Sequence, residues 1–216
     1  MRLSTTGLLC GALTLALAGA ASAQSPMQMV ERALRATEQV QDYTATVAVT
    51  VDAPNLQIPR RTAKVYYKRP DKVHVESQGL TVIPRDALLL GNLADHLQQH
   101  TSASLMGTGQ LGGRPVHAIK LSPTDADAQG GRVLVWIDSE RYLLLKSEIW
   151  RGSNKMLTAR FEHARVAGAH WMPQRIVCDV AAGSLTGRDE GGRIELQFSN
   201  YRINTGLPDS IFEGNG

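Results

Sequence analysis

The stretch Arg132–Ala164, RVLVWIDSERYLLLKSEIWRGSNKMLTARFEHA, decides the fold. It holds three strand-length runs separated by two polar turns, Asp138-Ser139-Glu140-Arg141 and Arg151-Gly152-Ser153-Asn154. Apolar side chains recur at alternate positions: Val133, Val135 and Ile137, then Leu143, Leu145 and Ile149, then Leu157, Ala159 and Phe161. The other parity carries Arg132, Asp138, Lys146, Glu148, Arg160 and Glu162. A period of two with one apolar side is the pattern of an antiparallel sheet wetted on one side. Turns this short make consecutive strands neighbours, so the three runs form a meander.

The same alternation extends outward. Tyr43–Val51 places Val47, Val49 and Val51 opposite Thr44, Thr46 and Thr50, and Arg61–Arg69 places Val65 and Tyr67 opposite Lys64, Tyr66 and Lys68. After a Pro70-Asp71 turn, Lys72–Glu76 returns with Val73 and Val75 on the apolar side. Short strands are expected around Ser104–Gly107 and Arg114–Leu121, and further ones over Arg175–Val180 and Arg193–Tyr201, the latter with Ile194, Leu196 and Phe198 inward. Ser25-Pro26 reads as the start of an amphipathic helix to about Val40, with Met27, Val30, Ala33 and Leu34 on one side. A second helix is expected after Asp86, carrying Leu89, Leu93 and Leu97. The sum is an α+β domain: a long antiparallel sheet that curls into an incomplete β-barrel, with helices as a lid over its concave side.

The first 23 residues read as a cleavable export signal, not as part of the fold. Arg2 precedes the apolar run Gly7–Ala18, which is too short to span a membrane, and Ala21-Ser22-Ala23 is a small-x-small cleavage site. The mature chain then begins at Gln24, forms a single domain over residues 24–216, and works in a periplasm-like space. Cleavage leaves Cys178 as the only cysteine, so no disulfide can form within the mature chain. Its place between Ile176 and Val180 reads as a small apolar core residue. The net charge of +3 comes from no Lys/Arg block, which speaks against a nucleic-acid partner, and no second apolar run is long enough for a transmembrane helix.

The sequence offers little catalytic chemistry. Gly107-Thr-Gly-Gln-Leu-Gly112 matches G-x-G-x-x-G, but a strand follows it where a phosphate-binding motif needs a helix, so it reads as a hairpin turn. His96 and His100 have metal-ligand spacing without a third ligand, and His163 and His170 flank a turn as edge residues. No nucleophile elbow or paired-carboxylate signature is present, and Asp125, Asp127, Asp189 and Glu190 lie in Gly-rich loops. The expectation is a protein without catalytic residues, metal or cofactor. Its aliphatic inner side suits flexible acyl chains.

Lys68-Arg69-Pro70-Asp71-Lys72-Val73-His74-Val75-Glu76 resembles a hairpin of the periplasmic lipoprotein-carrier, or LolA-like, superfamily. Gly112–Leu121, Val135–Asp138 and Leu143–Ser147 are similar to the core of that fold's relatives, among them the amino-terminal domain of MucB/RseB-type regulators. Tyr201–Asn204 and Asp209–Phe212 are similar to the end of outer-membrane lipoprotein-sorting proteins. Two places depart from the carriers: Val47-Ala48-Val49 stands where they show Phe-x-Gln, and Leu80–Leu90 replaces their signature after the hairpin.

The resemblance implies a monomeric, non-catalytic carrier of lipoprotein or lipid acyl chains between an inner-membrane donor and an outer-membrane acceptor. An envelope sensor of the MucB/RseB type is the alternative, and a lipid hydrolase a third. The expected cavity wall is Val47, Val49, Val65, Tyr67, Val75, Val133, Val135, Leu143, Leu145, Leu157, Phe161, Ile194 and Leu196. The lid is expected to use Met27, Val30, Leu34, Leu89 and Leu93, and the resemblance implies a latch at Arg69.

Overall fold

The computed structural model describes residues 24–36, 39–54, 56–77, 101–123, 131–182 and 191–213. The export signal, the second helix with Leu89 and Leu93, and the His96/His100 pair all lie outside the described residues.

Among the described residues one α-helix, α1 (Pro26–Arg35), precedes ten strands: β1 (Asp42–Ala53), β2 (Leu56–Lys68), β3 (Lys72–Ser77), β4 (Thr101–Leu111), β5 (Arg114–Pro123), β6 (Gly131–Asp138), β7 (Leu144–Arg151), β8 (Asn154–Val166), β9 (His170–Val180) and β10 (Gly192–Ile203). A 3-10 turn, Asp209–Ile211, follows. All ten strands belong to one antiparallel sheet in the order β3-β2-β1-β10-β9-β8-β7-β6-β5-β4. It is built from two meanders, β1–β3 and β4–β10, which join where β1 pairs with β10. Val47 lies opposite Phe198 and Val49 opposite Leu196 in that register.

The described residues make a mostly β protein, which corrects the α+β expectation. Among them the sheet is open, with β3 and β4 as its edges, and is not a closed barrel. The helix is also shorter than its apolar periodicity predicts. Ser25 caps it in a reciprocal box: its Oγ accepts from Gln28 N at 3.2 Å, and its own N–H donates to Gln28 Oε1 at 2.9 Å. Ala36 closes it, and Val40 is buried just before β1.

Two strands differ from their alternation for a local reason. In β7 the register slips between Trp136 and Ile137, so Ile137 pairs with Leu144 and Leu145 is the extra residue of a bulge. The predicted inner parity therefore breaks at Leu145, while Ile149 keeps its side, opposite Val133 and Leu157, and is 40% exposed there. β9 starts at His170, five residues before the predicted Arg175, because the chain turns over at Ala167 and Gly168, both at positive φ. A register shift at Glu162/His163 leaves Gln174 unpaired beside Pro173, which has no N–H for the ladder.

Candidate functional site

The apolar side of the sheet holds two packed clusters. The larger joins β1, β2, β8, β9 and β10 through Val47, Val49, Ala63, Val65, Ala159, Phe161, Ile176, Cys178, Val180, Ile194, Leu196 and Phe198, among others. The smaller is Val30 of α1 with Ile119, Leu121, Val135 and Ile137. Leu144 packs against both and links them. Removing this much aliphatic surface from water is the main force holding the sheet to its neighbours.

Most of the residues expected in the wall lie on this side. Val47, Val49, Val65, Phe161, Ile194 and Leu196 are buried in the larger cluster, and Val75 and Leu157 pack against it. Val135 is buried in the smaller, with Val133 packed against it. Tyr67 stacks on Tyr43 at 5.2 Å between ring centres, and its hydroxyl donates to Pro70 O at 3.1 Å. Leu145 and Leu143 are not in these clusters: the β7 bulge hands the inner position to Leu144, and Leu143 is buried in the segment before β7.

α1 packs on β4 and β6. Val30 is its buried residue, with Met29, Ala33 and Leu34 against the smaller cluster. Met29 takes the place expected of Met27, which is only half-buried and lies outside the cluster. Arg69 is half-buried beyond the end of β2, and its main-chain N–H donates to Gln41 O at 2.9 Å.

The two lysines of the hairpin have a structural task that the sequence does not announce. Lys68 Nζ donates to Leu207 O at 2.8 Å and to Asp209 Oδ1 at 2.7 Å, and Lys72 Nζ lies 3.1 Å from the same carboxylate oxygen. Asp42 completes the docking of the tail, accepting from Thr205 N and Gly206 N at 2.8 and 2.9 Å. The chain after β10 is thereby tied across the start of β1 and the end of β2.

Asp138 and His163 carry more than the turn chemistry expected of them. Asp138 is fully buried and accepts from Arg114 Nε and from the main-chain N–H groups of Glu140 and Arg141. Burial alone would raise its carboxyl, but those donors outweigh it and hold it below the ordinary carboxylate range. His163 is not an ordinary edge residue: it stacks on Phe161 at 6.5 Å, and its buried Nδ1 has no partner among the described residues. Burial pulls its imidazole down to about 4, against an opposing pull from Asp138. Cys178 is buried, and burial pushes its thiol up to about 11, so it is not a ready nucleophile. Among the described residues no group of three or more His, Cys, Asp or Glu side chains is placed to hold a metal ion, and no helix is long and apolar enough to cross a membrane.

This geometry has relatives among solved structures. A LolA superfamily protein from Nitrosomonas europaea superposes with a TM-score of 0.60 at 15% identity, covering 89% of this chain and 99% of its own. A DUF1329 family protein from Desulfovibrio piger gives 0.63 at 14% identity, covering 87% and 97%. A putative outer membrane lipoprotein-sorting protein domain from Vibrio parahaemolyticus gives 0.57 at 16%, covering 85% and 97%. Superpositions on MucB, at TM-scores of 0.32 to 0.33, are too loose to carry an argument. No curated protein matches the sequence. A family model described as "uncharacterized protein" matches residues 88–215, more than half of the chain. The chain belongs to that family, and its fold is that of the LolA superfamily.

Proposed function

We propose that this protein is a non-catalytic carrier that holds acyl chains of lipoproteins or lipids against the apolar side of its sheet. The observation that carries the reading is the breadth of that side. Aliphatic residues from seven strands form its two clusters, while α1 packs on β4 and β6. In this reading the sheet curls into a half-barrel, and the helix expected around Leu89 and Leu93 forms the rest of the lid, with Arg69 as its latch. Val47, Val65 and Leu196 are fully buried, so cargo must displace something to reach them. Each methylene that then leaves water contributes about 0.8 kcal/mol. The likeness to a lipoprotein-sorting domain supports the same assignment, as does the export signal read in the first 23 residues. The working space is the periplasm, the donor an inner-membrane component, the acceptor an outer-membrane one, and the carrier a monomer.

Native mass spectrometry of the protein isolated from its envelope, followed by lipid extraction, tests the reading. Co-isolated lipid, and displacement of a bound apolar dye by fatty acyl chains, are the expected results. Val133→Glu places a charge beside the smaller cluster and should weaken dye binding at least about ten-fold, since an unpaired buried carboxylate costs more than 1.4 kcal/mol. A lipid-free protein that binds no dye would sink the carrier. Ester turnover would point to a hydrolase instead, and a stoichiometric complex with a membrane-protein ectodomain to a sensor.

A further inference from the structure

The apolar side of the sheet ends in a cationic rim. Strand alternation puts Leu157, Ala159, Phe161, His163 and Arg165 of β8 on one side. The series runs from aliphatic through imidazole to guanidinium. Arg165 pairs in register with Trp171 of β9, and its guanidinium lies 5.8 Å from the centre of that indole. Arg141, from the turn between β6 and β7, lies over the same ring at 4.6 Å. The next residue, Tyr142, lies under Arg32 of α1 at 3.9 Å. Arg141 and Arg165 thus share the Trp171 ring, and Arg32 lies on the ring of the residue that follows Arg141 in the chain.

None of the three forms an ion pair with a described carboxylate. The two acids of the turn are already engaged, Asp138 by Arg114 Nε and Glu140 at 3.7 Å from Arg114 Nη2. The turn itself is held firmly: Asp138 Oδ1 accepts from Glu140 N and Arg141 N at 2.9 and 3.0 Å, and Tyr142 N donates to Asp138 O at 2.9 Å. That ring of bonds keeps Tyr142 at φ +55°, a left-handed conformation that a tyrosine rarely adopts. Tyr142 Oη in turn donates to Gln24 Oε1 at 2.8 Å. The other two tryptophans differ. Trp136 sits with Lys146, and Trp150 with Lys155 and Arg132: the lysine charges meet Glu148 at 2.7 and 3.6 Å, and Arg132 is turned to its own hairpin, donating to Gly152 O.

Guanidiniums held by stacking keep their N–H edges free, and without a counter-charge they suit a phosphate. We propose that this rim binds the phosphate of an anionic phospholipid whose acyl chains lie along the apolar side of the sheet. The inference rests on the carrier reading and specifies its cargo: a phosphorylated diacyl lipid in preference to a neutral glyceride.

Calorimetric titration of the delipidated full chain tests it with three probes: dihexanoyl phosphatidylglycerol, dihexanoylglycerol and inorganic phosphate. The phospholipid should bind at least about ten-fold more tightly than the glyceride, as expected for hydrogen bonds to an ionised group. The double variant R141Q/R165Q should erase that gap and leave glyceride affinity unchanged. Both side chains are exposed, so the variant should fold. R165K, which keeps the charge but not the fork, should retain part of the gap. Equal affinity for the two lipids in the natural chain, or an unchanged gap in R141Q/R165Q, would overturn the head-group site while leaving the carrier intact. Inorganic phosphate binding as tightly as the phospholipid would make this a free-phosphate site and overturn the lipid assignment. Binding of neither lipid, together with no uptake of an apolar dye, would remove the carrier and the inference with it.

Discussion

Asp138 and His163 show how single residues in this sheet govern its response to acid. Removing the Asp138 carboxylate strands Arg114 and two turn N–H groups at once. Asp138→Ala should cost about 2 kcal/mol at neutral pH, read from urea unfolding, since a buried charge network loses one member. Because the carboxyl is held below the ordinary range, its contribution is present above that range and is lost as the pH falls through its lowered folded value. His163 acts over a higher window. The unfolded chain takes up a proton near 6.5, the folded chain only near 4, so stability from this group is full above 6.5 and falls as the pH drops towards 4. The loss of urea stability between pH 7 and pH 5 should therefore be smaller in His163→Phe than in the natural chain. An equal loss in both would show that the imidazole is solvated. Neither role could be read from the sequence, where Asp138 is one of several turn acids and His163 a residue near a turn. Their burial depends on strands that only tertiary pairing brings alongside.

At the scale of elements, period-two alternation made the strands legible, and their turns supplied the order. The hairpin between β4 and β5 is the clearest case. Gly112 and Gly113 have φ of +58° and +76°, the mirror-image turn that matches strand twist, and nothing lies within 4 Å of a side chain added at either position. The penalty for replacing them is therefore one of backbone alone. Gly113→Ala should destabilise the protein by about 1 kcal/mol, measured as a shift in the urea midpoint with an unchanged slope. The face of β7 was misread for a physical reason: a bulge adds one residue, and past it the parity inverts. Leu144 then gains the inner position that alternation assigns to Leu145. In α1 the apolar stripe was legible but its centre was not. Met27 and Met29 both fit a helical stripe, and docking onto β4 and β6 selects Met29.

At the scale of the whole molecule, the seam between β1 and β10 joins the two meanders and completes the larger cluster. Leu196 is fully buried beside that seam, opposite Val49 on one strand and Ile176 on the other. Leu196→Ala should cost about 3 kcal/mol, the usual loss for a leucine removed from a tight core, and urea unfolding measures it. A loss under about 1 kcal/mol would mean that the seam is loosely packed. The sequence by itself determined the strands, their two-sidedness and the local meanders, because alternation and short turns act between near neighbours in the chain. Only the tertiary structure decided that β1 closes on β10, that the tail is tied down by Lys68, Lys72 and Asp42, and that Arg141 and Arg165 meet at Trp171 while Arg32 lies on Tyr142. Those contacts join residues far apart in the chain, and no local pattern encodes which distant partner completes a strand, a charge or an aromatic face.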